Sequence, residues 1–261
     1  MITSSFDRST APIFGPQDLY TPGEKIADVC VITFSKTVID HALERFDCRE
    51  AATIMALNGD KHIYTTVYKG QTIAFYLSPI TSAGCGTNLE EVILLTGARH
   101  YVLFGSCGAL SSELTEGWLI VPTEAYRDEG LSYHYAPAKD YITIKNAARV
   151  AEILEELGLP HVSGRCWTTD ALFRETRGNA GKRRDEGCIA VDMECSGIQA
   201  LCDFKGLEYY TFFYTGDLLD APKWEQRILS NDLEKDHQLT NFLVALEIAV
   251  RVYVPADFDT K

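Results

Sequence analysis

Short apolar runs that break off in glycine or in a polar side chain recur along this 261-residue chain, and they limit its fold more than any other feature. Residues 28–33 (DVCVIT) are nearly continuous in apolar character, as a strand covered on both faces must be, and residues 38–46 then follow helical spacing. That order predicts a β–α start. Three β-rich runs follow at 51–57, 62–68 and 71–78, separated by Asn58-Gly59-Asp60 and by Lys69-Gly70, a turn chemistry that predicts antiparallel neighbours. Gly84-Cys85-Gly86 precedes a predicted helix over 87–97, and residues 101–104 read as a buried strand ending at Gly105-Ser106-Cys107-Gly108. Further strands are expected at 118–121, 161–168, 189–191 and 209–214, and helices at 146–157, 193–205 and 233–252. Strands alternating with helices imply an α/β fold with a parallel or mixed sheet. Residues 1–26, with three prolines and no sustained period, read as an irregular arm that Phe6, Phe14 and Tyr20 pack onto something; residues 27–261 read as a single domain.

The charge balance narrows the partners. With 24 Lys+Arg against 37 Asp+Glu the net charge is −13, which argues against a nucleic-acid or anionic-membrane surface. An apolar fraction of 46% and a charged fraction of 23% match a folded globular chain rather than a disordered one. No stretch approaches the roughly 18 apolar residues of a membrane span, and the N-terminus lacks the basic-then-apolar order of a signal peptide, so a cytoplasmic protein is expected. The eight cysteines form no C-x-x-C pair and no zinc-like cluster, so they read as buried thiols in a reducing compartment, and no metal or organic cofactor is expected.

Ligands of open α/β sheets bind beyond the carboxyl ends of the strands, which singles out four polar corners. At Gly105-Ser106-Cys107-Gly108 the glycines let backbone N–H groups approach an anion or a sugar oxygen, and Ser106 adds a hydroxyl; the alternative is a tight strand exit. Cys107 reads as a packing residue. The stretch 167–176 (WTTDALFRET) suits a wall that stacks a flat ring on Phe173 while backbone groups read its edge, or else a capped connection in which Asp170 or Thr176 caps and Arg174-Glu175 are solvated. At Val191-Asp192-Met193-Glu194 a carboxylate stands near helix-terminal N–H groups and accepts paired hydroxyls, or is merely a favourable partner of the helix dipole. Asp217, directly after the apolar run 211–214, is a desolvated proton donor or a turn residue.

Taken together these corners resemble the nucleoside phosphorylase family of hexameric purine nucleoside phosphorylases and uridine phosphorylases, in matching order over about residues 27–250. The specific pieces are the 105–108 tetrapeptide, Val191-Asp192-Met193-Glu194 against the family's V-E-M-E, and Asp217 for the aspartate of its S-D pair. The resemblance implies a three-layer α/β/α sandwich with a mixed, partly barrel-like central sheet, and cleavage of a nucleoside's N-glycosidic bond by inorganic phosphate as co-substrate. It implies that Glu194 holds the ribose hydroxyls, with Asp192, Met193, Ser106, Cys107 and Gly108 around the nucleoside, that Leu172 and Phe173 line the base, and that Asp217 protonates it. A homo-oligomer, dimer or hexamer, is implied as well.

Departures from the family pattern fall on the phosphate. The family's G-D-P-x-x-R loop is replaced by Phe34-Ser35-Lys36-Thr37-Val38, and Leu103 stands where a second arginine is usual. Arg127, Arg174 and Lys36, with Ser106, are the replacement candidates; Arg127 opens the dense polar segment 127–135, which includes His134, and Arg177 follows the base corner. Gly216 replaces the family's serine, and Arg227 is the candidate partner of Asp217. Three readings follow: phosphorolysis with a purine favoured over uridine, hydrolysis with Asp128 or Glu129 as base, or nucleoside binding without turnover.

Overall fold

The apolar run after Asp28 forms the first strand of the computed structural model of the protein, which describes residues 5–56, 59–227 and 235–253. In chain order the first elements are β1 (Val29–Thr33), α1 (Lys36–Arg45), β2 (Cys48–Ile54), β3 (Lys61–Tyr68), β4 (Gln71–Leu77), α2 (Ser82–Thr96) and β5 (His100–Ala109). Next come α3 (Ser112–Thr115), β6 (Leu119–Asp128), α4 (Ser132–Tyr135), β7 (Tyr141–Thr143), α5 (Ala147–Glu156) and β8 (His161–Thr169). The chain continues through α6 (Arg177–Asp185), β9 (Cys188–Asp192), α7 (Cys195–Lys205), β10 (Glu208–Leu218), β11 (Glu225–Gln226) and α8 (Lys235–Val252). Two compact units result, one from residues 5–13, 79–87 and 105–227, the other from 14–56, 59–78, 88–104 and 235–253.

In the second unit β1 runs parallel to both β4 and the start of β5, with Cys30 beside Ala74 and Tyr101. β4, β3 and β2 continue antiparallel, as the turn chemistry predicts. Lys69 and Gly70, with φ of 48° and 82°, supply the two left-handed residues of the tight β3–β4 hairpin. Of the other predicted turn, Asn58 lies outside the described residues, as do residue 57 and, from the last predicted helix, residues 233 and 234. Ser35 caps α1 by accepting the Val38 N–H at 3.4 Å. The core gathers on α8: Phe46, Phe75 and Phe104 pack around Phe242 with ring centroids 5.9, 5.3 and 6.4 Å away. From the predicted arm, the Tyr20 hydroxyl donates to Glu91 at 3.1 Å and accepts the Met55 N–H at 3.0 Å, whereas Phe14 is exposed.

The first unit holds the barrel-like part. β5, β9, β8, β6 and β10 form a ring that closes where β10 pairs with β5. β6, β8 and β9 are mutually parallel, while the β5–β9 and β10–β6 pairs are antiparallel, so the sheet is mixed, as expected. Closure carries strands beyond their apolar runs, because each extra residue in a barrel still finds backbone partners on both sides. β5 therefore continues through Ala109, β6 reaches Asp128 and β10 reaches Leu218. Gly105–Gly108, Arg127 and Asp217 thus lie inside strands, which corrects the expectation of corners past the strand ends. Pro122, unable to donate a ladder hydrogen bond, marks a register shift in the β6–β8 pairing.

Two helices also differ from expectation. α2 begins at Ser82, so Gly84-Cys85-Gly86 is its first turn; a Cβ on Gly86 would collide with Leu131 Cδ2, which explains a glycine within a helix. α6 was not expected, since RGNAGKRRD has no apolar period, yet Thr176 caps it by accepting the Asn179 N–H at 3.3 Å. Residues 5–13 belong here: Phe6 meets His134 edge-on at 4.3 Å, so His134 is a stacked histidine. All eight cysteines are free and seven are buried, as packing thiols should be. Among the described residues no helix is long and apolar enough to cross a membrane.

Candidate active site

β9 delivers two carboxyl groups to the start of α7, and they have different tasks. Asp192 Oδ2 accepts the N–H groups of Glu194 and Cys195 at 2.9 and 2.6 Å, and Oδ1 accepts the Thr168 hydroxyl at 2.7 Å. Asp192 is therefore the cap of α7, so the helix-terminal N–H groups go to it rather than to Glu194. Glu194 instead accepts the Thr81 N–H on Oε1 at 2.6 Å, where Thr81 holds a φ of 74° that a β-branched residue rarely adopts. Only 6% of Glu194 is exposed. Burial, and then the charge of Asp192, push its carboxyl up to about 8; burial pushes Asp192 to about 6 against its own hydrogen bonds. A Glu194 carboxyl that keeps its proton both donates and accepts, which suits a pair of vicinal hydroxyls. Met193 between them is half-buried, its carbonyl accepting the Ser82 hydroxyl at 2.9 Å.

Asp217 comes from β10. Trp224 Nε1 donates to its Oδ2 at 2.6 Å and is its hydrogen-bond partner among the described residues. Burial raises the Asp217 carboxyl while the indole N–H works against that rise. A Cβ on Gly108 would stand 2.8 Å from Val191 Cγ1 and 3.3 Å from Asp217 Oδ1, with Leu219 Cδ1 at 2.6 Å. Gly108, opposite Val191 in the β5–β9 pairing, is therefore small so that side chains of β9 and β10 can close over β5. The same contact sets Asp217 beside the residue that precedes Asp192. Glu175 is a third acid in this field, raised to about 7 by burial first and then by the charges of Asp217 and Asp192. Its place two residues after Phe173 is its main mark in the sequence, and its partial burial corrects the solvated-turn alternative for it. Cys107 feels the same two charges; burial keeps it a thiol, with Sγ 3.6 Å from the Tyr214 carbonyl. Ser106 is the one exposed residue of β5.

The cations fall out differently from expectation. Arg127 is 3% exposed, and its guanidinium donates to Ser132 Oγ (2.8 Å) and to the carbonyls of Pro137 (2.6 Å), Lys139 and Ala136 (both 3.4 Å) while lying over the Tyr133 ring. It holds a loop, and an anion would have to displace that loop's carbonyls. Lys36 belongs to the other unit, where it pairs with Asp40 at 2.6 Å. Arg227 pairs with Glu116 (3.3 Å) and Glu225 (3.4 Å), so Trp224 takes the place expected for it beside Asp217. Arg177 donates to the Pro222 carbonyl at 2.5 Å. Arg174 is exposed, as are Leu172 and Phe173, the latter at 96%. Asp128 accepts from Trp167 and Thr169, and Glu129 from the Ser132 N–H and the Ser196 hydroxyl.

The purine nucleoside phosphorylase DeoD-type of Alkaliphilus metalliredigens is 24% identical over 191 residues, covering 71% of this chain and 78% of that protein. The DeoD-type 2 enzyme of Photobacterium profundum is 22% identical over 222 residues, covering 84% and 89%. A solved structure of a futalosine hydrolase mutant of Helicobacter pylori superposes with a TM-score of 0.68 at 16% identity, over 87% of this chain and all of that one, which shows a shared fold. Residues 28–246 match the phosphorylase superfamily, and the chain belongs to it.

Proposed function

We propose that the protein cleaves the N-glycosidic bond of a nucleoside, with phosphate as acceptor, giving ribose 1-phosphate and a free base. The observation that carries this reading is a pair of buried acids, both raised in proton affinity: Glu194 just past the end of β9, and Asp217 beside Gly108 and Val191 of the same strand pair. As the bond breaks, the sugar becomes oxocarbenium-like and the base gathers negative charge. Glu194 grips the ribose hydroxyls at one end, and Asp217 passes a proton to the base at the other. A purine, with N7 as proton acceptor, fits a single acid better than a pyrimidine, and the relatives named above are purine nucleoside phosphorylases. For the phosphate, Ser106 and Arg174 are preferred over Arg127 and Lys36, whose donors are engaged elsewhere. The exposed Phe173 ring favours a homo-oligomer in which a neighbouring subunit covers it.

One observation favours hydrolysis as the second reading. Glu175 titrates at about 7, where a carboxylate can take a proton from water, whereas Asp128 and Glu129 are tied up in hydrogen bonds. Base release from a panel of purine and pyrimidine nucleosides, with and without phosphate, separates the two. Strict phosphate dependence with ribose 1-phosphate as product is expected; equal rates without phosphate mean hydrolysis. Asp217→Ala and Glu194→Ala should each lower turnover by at least about 100-fold. Tight nucleoside binding with no base release under any condition overturns both readings.

A further inference from the structure

We infer that Trp224 is the positioning residue of the proton donor, its indole N–H aiming the Asp217 carboxyl in the place that a hydroxyl or a guanidinium would otherwise hold. This inference rests on the reading of Asp217 as the acid. A buried carboxyl that must hand over a proton needs one oxygen fixed so that the other faces the acceptor. The position before it is Gly216, which has no side chain to supply a bond, and Arg227 is drawn off to Glu116 and Glu225. Trp224 Nε1 fixes Oδ2 at 2.6 Å and leaves Oδ1 on the side of Gly108 and Val191.

The indole can do this because its segment is pinned at several points. Arg177, at the start of α6, donates to the Pro222 carbonyl at 2.5 Å, two residues before Trp224. Beyond it, β11 pairs with β10 so that Gln226 faces Asp217 itself, and the Arg227 N–H donates to the Gly216 carbonyl at 3.1 Å. The rest of the ring has no packing duty of comparable weight, since Trp224 is 57% exposed. An indole N–H is also a neutral donor with no proton to lose in this range, so it orients the acid without forming an ion pair that would hold it deprotonated. The titratable groups in the field of Asp217 are Glu175 from the 172–176 turn and Cys107 from β5, both of which also feel Asp192 of β9.

Trp224→Phe keeps an aromatic ring and removes the N–H. Base release should fall about 10-fold or more in kcat with little change in KM. The alkaline limb of its pH profile should move upward by about half a pH unit or more, because the carboxylate has lost a stabilising donor. Trp224→His, which retains a ring N–H, should recover part of the rate. Normal kcat with an unmoved limb in Trp224→Phe overturns the inference. Asp217→Asn in the same assay distinguishes the two levels of failure: if it retains full turnover, the reading of Asp217 as acid is wrong. The contact is then judged by itself from tryptophan emission, which should show a pH-dependent step that disappears in both Trp224→Phe and Asp217→Asn. An emission unaffected by pH in the unmodified protein overturns the contact.

Discussion

The charge of Asp217 helps, after burial, to raise the Glu175 carboxyl, so the two acids do not titrate independently. When Asp217 ionises, its charge holds the proton on Glu175, whereas Asp217 itself is raised by burial against the Trp224 N–H. Because Asp217 is set by burial and Trp224, Glu175→Gln should leave the alkaline limb of base release within about half a pH unit, with turnover at pH 5 nearly unchanged. If Glu175 instead activates water, that variant loses phosphate-independent turnover at every pH, so one pH–rate series measured with and without phosphate decides its role. At this scale the sequence was legible where chemistry follows from local context. Asp217 and Glu194 stand out because each directly follows an apolar run, and such placement forces desolvation. Trp224 and Glu175 did not stand out, because what matters about them is a partner brought up by a chain reversal that leaves no mark in residue spacing.

Strand length is where the elements depart furthest from their apolar patterns. The run 118–121 predicted a short strand, but β6 extends to Asp128 because β8 continues to pair with it and β7 adds a third strand along Glu124–Tyr126. Backbone pairing across a closed sheet does not require apolar side chains, so its reach cannot be read from hydropathy. Arg127 near the end of β6 is the clearest consequence. Its sequence context reads as a free cation in a polar loop, whereas the hydrogen bonds to Ser132, Ala136, Pro137 and Lys139 make it the post around which the segment after β6 folds. Arg127→Met should accordingly destabilise the fold by about 2–4 kcal/mol, since several buried acceptors lose their donor, and should leave the KM for phosphate within about twofold in the folded protein. Urea denaturation together with phosphate titration checks both halves; a large rise in that KM at unchanged stability would return Arg127 to the phosphate site. α6 shows the opposite limit, a helix set by its Thr176 cap and by Arg183 lying over the Tyr126 ring at 3.5 Å rather than by any periodic apolar face.

For the molecule as a whole, the acids of the site and those elsewhere pull the stability optimum in opposite directions. Glu194, Glu175 and Asp192 are raised to about 8, 7 and 6, and Asp217 is raised too, so the folded state binds more protons than the unfolded chain between about pH 4.5 and 8. By linkage their contribution is fully present below the ordinary carboxylate range and is lost as pH rises through these values. Glu247 acts the other way: burial pushes it up, but Lys69, Tyr68 and Arg251 outweigh burial and hold it at about 2, so its contribution is lost as pH falls toward 2. The raised acids make stability fall as pH climbs from about 4.5 toward 8, and the growing repulsion of a chain with net charge −13 at pH 7 adds to that slope. Such a slope is the cost of placing several acids in one site where only a proton-bearing carboxyl is useful. Glu194→Gln retains an oxygen to accept the Thr81 N–H while removing the buried charge. It should therefore raise stability at pH 8 by about 1–3 kcal/mol, change little at pH 5, and flatten the slope between them, even as it lowers turnover. Urea midpoints at the two pH values measure this directly. A variant that loses stability at pH 8 would mean that Glu194 is ionised in the resting fold and that the ribose end of the site begins with a charged acceptor.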